Sequence, residues 1–225
     1  MTISKNPEKI RSMFNSIAAK YDFNNNLISL GMHKFVKYMS IKNLEITDNS
    51  KILDECTGTG DFAKFLLKLN PKTDVTGTDF SENMLKFAKK KVPRAKFIPA
   101  DSTNLPFADQ TFDIVTMGFG LRNIEDYDKA ITETWRVLKN NGQFLHLDFG
   151  KKNFCSKIFD IIVPPLIKIF YGQNLPYKYL LNSKKDFPPP DELIKLFEKH
   201  NFSLKCRKDY LFGVISMQIM QKGLR

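Results

Sequence analysis

ILDECTGTGDF, residues 52–62, decides the fold that this sequence predicts. Its apolar start, with Lys51 before it, predicts a short buried β-strand. Gly58 and Gly60 then form a turn that lets a ligand approach the backbone closely, and the helix predicted from Asp61 points its N-terminus at that ligand. The stretch therefore predicts the first strand, turn and helix of an α/β fold that binds a small molecule.

Strand-like and helical segments alternate along the chain after this stretch. The strand-like segments as far as residue 149 are KILD, DVTGTD, KFIPAD, FDIVTM and QFLHLDF, and the helix before the last of them is expected to end at Asn141–Gly142. This alternation predicts a doubly wound, mostly parallel sheet. Two segments near the end of the chain, SLKCRKDY and GVISMQIMQK, predict an antiparallel strand pair.

The length of 225 residues suits one α/β domain with an elaboration. Residues 150–190 interrupt the alternation with aromatic residues, lysines and prolines, which predicts an inserted helical cap. We therefore predict a single domain, 1–225, in four parts: an N-terminal helical lid (1–48), a cofactor-binding core (49–149), the helical cap (150–190), and a C-terminal helix and strand pair (191–225).

The composition limits the function classes. A formal net charge of +11 favours an anionic partner, either nucleic acid or an acidic membrane face. Three widely spaced cysteines are typical of reduced thiols in the cytoplasm, and three scattered histidines show no metal-ligand spacing, so no metal is expected. The N-terminus has no apolar signal core, and no apolar run approaches the roughly 20 residues of a membrane span. We therefore expect a cytoplasmic location.

Three acidic residues are predicted to stand at the ends of three successive strands. Asp54 ends the first, Asp79 can accept both ribose hydroxyls of a nucleoside, and Asp101 with a neighbouring N–H can hold an adenine. The Lys-Ser/Thr of a P-loop is absent and the dinucleotide fingerprint is incomplete, so a phosphate ligand loses support. Three carboxylates suit a neutral nucleoside that carries a cationic centre, and S-adenosylmethionine has that chemistry.

Four stretches carry a resemblance to a known family, and a fifth stretch supports it. They are YDFNNNLISLGMHKFVK (21–37), the glycine run with Asp79, FGLRN (119–123), RVLKNNGQFLHLDFGKK (136–152) and the supporting YKYLLNSKKDFPPPDEL (177–193). On these residues the chain resembles the class I S-adenosylmethionine-dependent methyltransferases and, more narrowly, the ubiquinone/menaquinone biosynthesis C-methyltransferase family. The resemblance covers about residues 8–222.

The resemblance implies a Rossmann-like α/β fold, with seven mostly parallel strands, an antiparallel last strand, N-terminal helices and a helical cap. It also implies methylation of a ring carbon of a prenylated quinol, converting demethylmenaquinol to menaquinol, methylating 2-polyprenyl-6-methoxy-1,4-benzoquinol, or both. Gly118 stands where the family often has a serine that touches the cofactor. The cofactor-binding residues that we expect are Asp54, Gly58, Thr59, Gly60, Asp79, Phe80, Asp101, Ser102 and Gly118.

Four residues are candidates for the chemical step. Arg122 can stabilise a phenolate because its charge is permanent, and Asn123 can orient the same hydroxyl. Tyr21 and His33 belong to the N-terminal block that we expect to close over the site, where His33 could act as a base. The alternatives are that Arg122 pairs with a nearby acid on a helix start and that His33 caps a loop.

Residues 151–185 carry seven lysines among large apolar residues and a single acid. This pattern is typical of a surface that rests on an anionic membrane and admits an isoprenoid tail, but a helical lid with solvated lysines is an equal alternative. We thus expect peripheral contact with the inner face of the membrane and no nucleic acid partner. The sequence does not decide between a monomer and a homodimer. The competing functions are another small aromatic or lipid acceptor, an RNA methyltransferase, and a non-catalytic binding subunit.

Overall fold

The computed structural model of the chain describes residues 6–151, 156, 161, 179, 183–184 and 186–223. Most of the predicted cap, residues 150–190, lies outside the described residues. Three helices come first: α1 (Pro7–Ile17), α2 (Tyr21–Ser29) and α3 (Met32–Ile41), with a short 3-10 turn at Ala18–Lys20. Asn6 caps α1 by accepting a hydrogen bond from the N–H of Lys9 at 3.1 Å.

A mixed sheet follows these helices. Its strands are β1 (Lys51–Glu55), β2 (Asp74–Asp79), β3 (Lys96–Pro99), β4 (Phe112–Gly118), β5 (Leu138–Phe149), β6 (Phe202–Tyr210) and β7 (Ile215–Lys222). The helices that connect them are α4 (Asp61–Leu69), α5 (Glu82–Lys91), α6 (Tyr127–Val137) and α7 (Pro190–Lys199). Two short 3-10 turns lie at Leu121–Asn123 and Leu211–Gly213.

The strand order in the sheet is β3-β2-β1-β4-β5-β7-β6. The pairs β1–β2, β1–β4, β2–β3 and β4–β5 are parallel, and β7 runs antiparallel to both β5 and β6. The predicted seven-stranded, mostly parallel sheet with an antiparallel last strand is therefore confirmed. The order reverses between β1 and β4, and ligands of such sheets bind outside the carboxyl ends of the strands at that point.

The sheet separates two apolar clusters, because alternate residues of each strand face opposite sides. Ile52 of β1 and Ile114 of β4 belong to one cluster, and the next residues, Leu53 and Val115, belong to the other. All four side chains are essentially inaccessible to solvent. Both faces are covered, as a mostly parallel sheet requires.

The predicted end of the helix before β5 was wrong. The helix α6 ends at Val137, and β5 begins at Leu138 instead of after Asn141–Gly142. Leu138 already pairs with Phe112 of β4, and the register shifts before the next pair, between Ile114 and Gln143. Asn141 has a φ of 60°, so the Asn-Gly sequence forms an irregularity inside the strand and not the end of the helix.

Candidate active site

A cavity of about 430 Å³ lies where β1, β2 and β4 end, partly covered by α1 and α2. This volume is in the range of about 300–1,000 Å³ that small-molecule sites occupy. The residues that line it are Pro7, Phe14, Tyr21, Cys56, Gly58, Asp79, Phe80, Met84, Ala100, Asp101, Ser102, Thr103, Gly118, Phe119, Gly120, Asn123, Ile124, Glu125, Asp126 and Lys129. Four carboxylates and one ammonium group are among them, which fits a ligand with positive charge better than a polyphosphate.

The turn after β1 is fixed to the end of β2. Gly58 has a φ of 56° and donates its N–H to Asp79 Oδ2 at 2.9 Å, while Asp79 Oδ1 accepts from the N–H of Ser81 at 2.9 Å. Burial raises the pKa of Asp79 to about 6, and these backbone donors oppose the rise. Asp79 thus lines the cavity from a position that two backbone N–H groups hold.

Gly60 closes this turn next to α5. Its φ is 83°, and a Cβ there would lie 3.2 Å from the Cβ of Ala88. The glycine therefore serves the left-handed backbone and the close approach of α5, but it does not line the cavity. Cys56 also has a left-handed backbone, with a φ of 52°.

Asp54 lies beneath the turn and away from the cavity surface. The hydroxyls of Thr57 and Thr116 donate to its carboxylate, the second at 2.8 Å, and the side chain is fully buried. Burial raises its pKa to about 6, against the effect of these two hydroxyl donors. Asp54 holds the turn in place from below.

Asp101 and Ser102 line another part of the cavity, at the end of β3. Asp101 Oδ1 accepts from both the N–H and the hydroxyl of Thr103, at 2.8 and 2.9 Å. The Ser102 hydroxyl lies 3.4 Å from the sulfur of Cys56. Phe80, which follows Asp79 in the chain, adds an aromatic ring to the lining. An aromatic wall beside polar groups suits a nucleoside base.

Gly118 lines the cavity with its backbone, and another side chain occupies the space that a Cβ at this position would need. An ideal Cβ at this position would lie 2.0 Å from Cε2 of Phe62, a ring that is itself buried in the core. The serine that the family often has at this position would require that ring to move. This explains the departure that the sequence shows at residue 118.

A network of charged side chains joins the N-terminal helices to the glycine turn. Lys91 of α5 contacts Asp22 of α2 at 2.5 Å, and Asp61 and the Thr59 hydroxyl at 3.0 Å each. Lys37 of α3 contacts the other oxygen of Asp61 at 3.0 Å. Burial opposes ionisation of Asp61, yet the charges of Lys37 and Lys91 outweigh it and hold the pKa of Asp61 well below its ordinary value.

His33 lies beside this network and not at the cavity. Its Nδ1 is 2.6 Å from the Ser29 hydroxyl, and its Nε2 is 3.8 Å from Asp61 Oδ2. Burial, followed by the charge of Lys37, lowers its pKa to about 4. The neighbouring helix α2 places Tyr21 at the cavity, where Phe14 contacts both Tyr21 and Phe80 edge to face at centroid distances of 6.3 and 6.2 Å.

Arg122 is buried in the turn after β4. Its guanidinium donates to the Phe119 carbonyl at 2.7 Å and to Asp148 at 2.9 Å. It also lies 5.7 Å from the ring centre of Phe119 and 5.2 Å from that of Phe149. Arg122 does not line the cavity. It pairs with Asp148, whereas the alternative interpretation of the sequence paired it with an acid at the start of α6.

Asn123 lines the cavity next to this pair. Its amide donates to the Phe119 carbonyl at 3.2 Å. Several buried polar atoms around the two residues have no hydrogen-bond partner among the described residues. They are Arg122 Nε, Asn123 Oδ1, His146 Nε2, Asp148 Oδ2 and the Tyr179 hydroxyl. Of these residues only Asn123 lines the cavity, so its Oδ1 is the acceptor that a ligand bound there can use.

The structure thus brings together many of the residues that the sequence singled out. Those at the cavity are Tyr21, Gly58, Asp79, Phe80, Asp101, Ser102, Gly118 and Asn123, and those outside its lining are His33, Asp54, Thr59, Gly60 and Arg122. The sequence did not single out Phe14 or Lys91. Lys91 is the last of three consecutive lysines, and nothing in that run distinguishes it from its solvated neighbours.

In the part of the chain that the structure describes, no helix has both the length and the apolar composition of a membrane span. Within the same residues, no group of three or more histidine, cysteine, aspartate or glutamate side chains is arranged to hold a metal ion.

Comparison with solved structures supports the fold. An S-adenosylmethionine-dependent methyltransferase from Aquifex aeolicus superposes with a TM-score of 0.67 at 17% identity, covering 92% of this chain and 97% of that one. A methyltransferase of the same cofactor class from Thermotoga maritima gives a TM-score of 0.72 at 19% identity, covering 96% and 100%.

Sequence comparison is more specific. Demethylmenaquinone methyltransferases from Staphylococcus aureus strains JH9 and Newman are each 36% identical to this chain over 227 residues, covering 96% of this chain and 94% of theirs. A model of the ubiE/COQ5 methyltransferase family matches residues 1–222. The chain belongs to the ubiE/COQ5 methyltransferase family and is an S-adenosylmethionine-dependent methyltransferase.

Proposed function

We propose that the protein methylates a ring carbon of demethylmenaquinol to give menaquinol. The relatives named above carry that activity in their names and share 36% of their residues with this chain. The observation that carries the proposal is the joining of two environments in one cavity. Its lining combines the carboxylates of Asp79 and Asp101, which we call its acidic part, with the rings of Tyr21 and Phe119 and the amide of Asn123.

The acidic part fits S-adenosylmethionine. Asp79 would accept the ribose hydroxyls, Gly58 would let the ligand approach the backbone, and Phe80, Asp101 and Ser102 would surround the adenine. When bound, S-adenosylmethionine supplies an electrophilic methyl group on a cationic sulfonium. Thr59, Gly60 and Asp54 would act indirectly, by keeping the glycine turn in its conformation.

The quinol ring must be activated, because an aromatic carbon is a poor nucleophile until a neighbouring hydroxyl loses its proton. Asn123 Oδ1 is buried without a partner and can accept a hydrogen bond from that hydroxyl, which orients the ring. Its amide N–H₂ is held by the Phe119 carbonyl, so the oxygen stays in place. Asn123 is therefore the residue that we propose to position the acceptor.

Arg122 supports the phenolate electrostatically. Its charge is permanent, and its contacts with Asp148, Phe119 and Phe149 fix the guanidinium next to Asn123. The guanidinium stands behind the lining and Asp148 offsets part of its charge, so its remaining effect is a modest lowering of the pKa of the quinol hydroxyl, and water can then take the proton. The Nε–H, which has no partner among the described residues, remains available as a donor.

The N-terminal helices exclude water from the reaction. Tyr21, Phe14 and Phe80 form an aromatic wall across the cavity. Desolvation of this kind strengthens the electrostatic interactions of Arg122 with a developing charge. For His33 we propose a role in holding α2 and α3 together, because its ring bonds to Ser29 and lies outside the cavity lining.

The test is a methyl transfer assay under reducing conditions with demethylmenaquinol, a prenylated benzoquinol and total RNA as acceptors. We expect transfer to demethylmenaquinol. Asn123→Leu should lower kcat by about 100-fold, in line with the effect of a displacement of about 1 Å of the reacting ring. The affinity for S-adenosylmethionine should change little in this variant.

Asn140→Leu is the matched control, because Asn140 is an exposed residue of β5 far from the cavity lining. It should retain the wild-type kcat. Transfer to RNA alone would contradict the proposal, and transfer only to the benzoquinol would contradict the choice of acceptor.

A further inference from the structure

The turn between α2 and α3 presents an apolar residue where a polar one or a glycine is usual. Leu30 directly follows α2 with a φ of 49°, in the left-handed region, and its side chain is 87% exposed. Glycine and asparagine favour this position, and Leu30 gains little there from packing against the residues that the structure describes. Its side chain is therefore available to a contact beyond those residues.

Other large apolar side chains extend this surface along both helices. Phe23 of α2 is 65% exposed and precedes Leu30 by seven residues, which is about two helical turns. Met32 and Phe35 are spaced for one face of α3 and are also exposed. We call these four residues, Phe23, Leu30, Met32 and Phe35, the apolar lid face.

The charges around the apolar lid face are positive. Residues 18–43 contain four lysines and one acid, and that acid, Asp22, is paired with Lys91. Lys20, Lys34 and Lys42 form no ion pair with any residue that the structure describes. Exposed apolar side chains flanked by unpaired cations complement the surface of an anionic bilayer.

The position of this face relative to the cavity is also informative. Tyr21 lines the cavity, and Phe23 follows two residues later, so the helix turns them to opposite sides. A bilayer in contact with Phe23 would lie just outside the helix that covers the cavity. A quinol with an isoprenoid tail is dissolved in the bilayer, and it could then enter without crossing water.

We infer that the apolar lid face, with its flanking lysines, docks the enzyme on an anionic membrane. This inference rests on the proposed function, because the proposed acceptor, a prenylated quinol, is a lipid. It concerns α2 and α3, and is separate from residues 151–185, where the sequence predicts membrane contact. The bound state buries Leu30 and Phe35 among the lipids, while the lysines contact the headgroups.

The experiment is co-sedimentation with vesicles of phosphatidylcholine alone and of phosphatidylcholine mixed with phosphatidylglycerol. The wild-type protein should bind the anionic vesicles more tightly. The double variant Leu30→Asn/Phe35→Ser should lose at least about tenfold in apparent affinity, because two apolar side chains no longer enter the bilayer. Its melting temperature should be unchanged or higher, since asparagine tolerates the left-handed backbone at residue 30.

Leu204→Asn is the control, because Leu204 is a partly exposed apolar residue of β6 outside the apolar lid face. It should bind vesicles like the wild type. Equal binding of the wild type to both kinds of vesicle, or full binding by the double variant, would overturn the inference. A wild-type dimer that the double variant converts to a monomer would assign the face to a second copy of the chain and would also overturn it.

A methyl transfer assay with a short-tailed, water-soluble demethylmenaquinol separates this inference from the proposed function. Both variants should retain wild-type activity on that acceptor. Absence of transfer by the wild type would count against the proposed function and leave the vesicle result standing. Loss of transfer in the double variant, with vesicle binding intact, would show that the face serves the cavity instead of the membrane.

Discussion

Replacing Asp61 with asparagine should destabilise the protein strongly. Asp61 is 7% exposed and lies between the ammonium groups of Lys37 and Lys91, at 3.0 Å from each. Lys91 keeps Asp22 as a partner in the variant, but Lys37 has no other ion pair among the described residues. Leaving one buried charge uncompensated costs about 3–5 kcal/mol. For a chain of this length that corresponds to a fall in melting temperature of about 6–20 °C.

The assay is thermal unfolding of the wild type and of the variants Asp61→Asn, Lys37→Met and the double variant of the two. The asparagine substitution should cost much less in the Lys37→Met background, because no buried ammonium group then lacks a partner. Asp48→Asn provides the control, since Asp48 pairs with Lys72 at the surface, where both side chains are more than half exposed. That change should cost no more than about 1 kcal/mol.

The result that would refute this reasoning is an equal loss of stability from Asp61→Asn in both backgrounds. A loss as small as that of Asp48→Asn would refute it as well. Either result would mean that the network among α2, α3, α4 and α5 does not hold the N-terminal helices against the glycine turn.

Two further predictions concern the sheet. Gly118→Ala places a Cβ 2.0 Å from Cε2 of Phe62, so calorimetry should show a loss of about 1–3 kcal/mol in unfolding free energy, and an unchanged stability would show that the ring moves freely. Burial raises the pKa of Glu55 from 4.5 to about 8, with the Thr134 hydroxyl opposing the rise. The folded state therefore holds this proton more tightly than the unfolded chain, and the resulting stabilisation is complete below pH 4.5 and is lost as the pH rises to 8. Glu55→Gln should remove that loss, so the unfolding free energy measured in urea should rise in the variant relative to the wild type between these pH values. If the unfolding free energies of the two proteins change with pH in parallel, the assignment is contradicted.

Much of the fold could be predicted because its signals are local. The glycine turn after KILD, and the strands and helices that alternate after it, each have a residue pattern of their own. The end of α6 could not be predicted in this way. Asn141–Gly142 is a usual helix stop, but pairing of Leu138 with Phe112 on a neighbouring strand extends β5 backward past it. A pairing between residues distant in sequence has no local signal.

Site residues that stand at strand ends could be predicted from the sequence. Contacts that depend on tertiary packing could not. Asp79 and Asp101 follow from their position at the ends of β2 and β3. The pairing of Arg122 with Asp148 joins residues 26 apart in sequence, and Lys91 reaches Asp22 and Asp61 from another helix. These contacts depend on how helices and strands lie against each other, which residue type and spacing do not reveal.

The measurement that tests the central claim most directly is the structure of the product made from S-adenosylmethionine with a deuterated methyl group and demethylmenaquinol. Mass spectrometry and proton NMR of the purified product locate the label. We predict that the label is on a carbon of the naphthoquinol ring and that both hydroxyls remain free. A label on a hydroxyl oxygen, or no labelled quinol at all, would contradict the account.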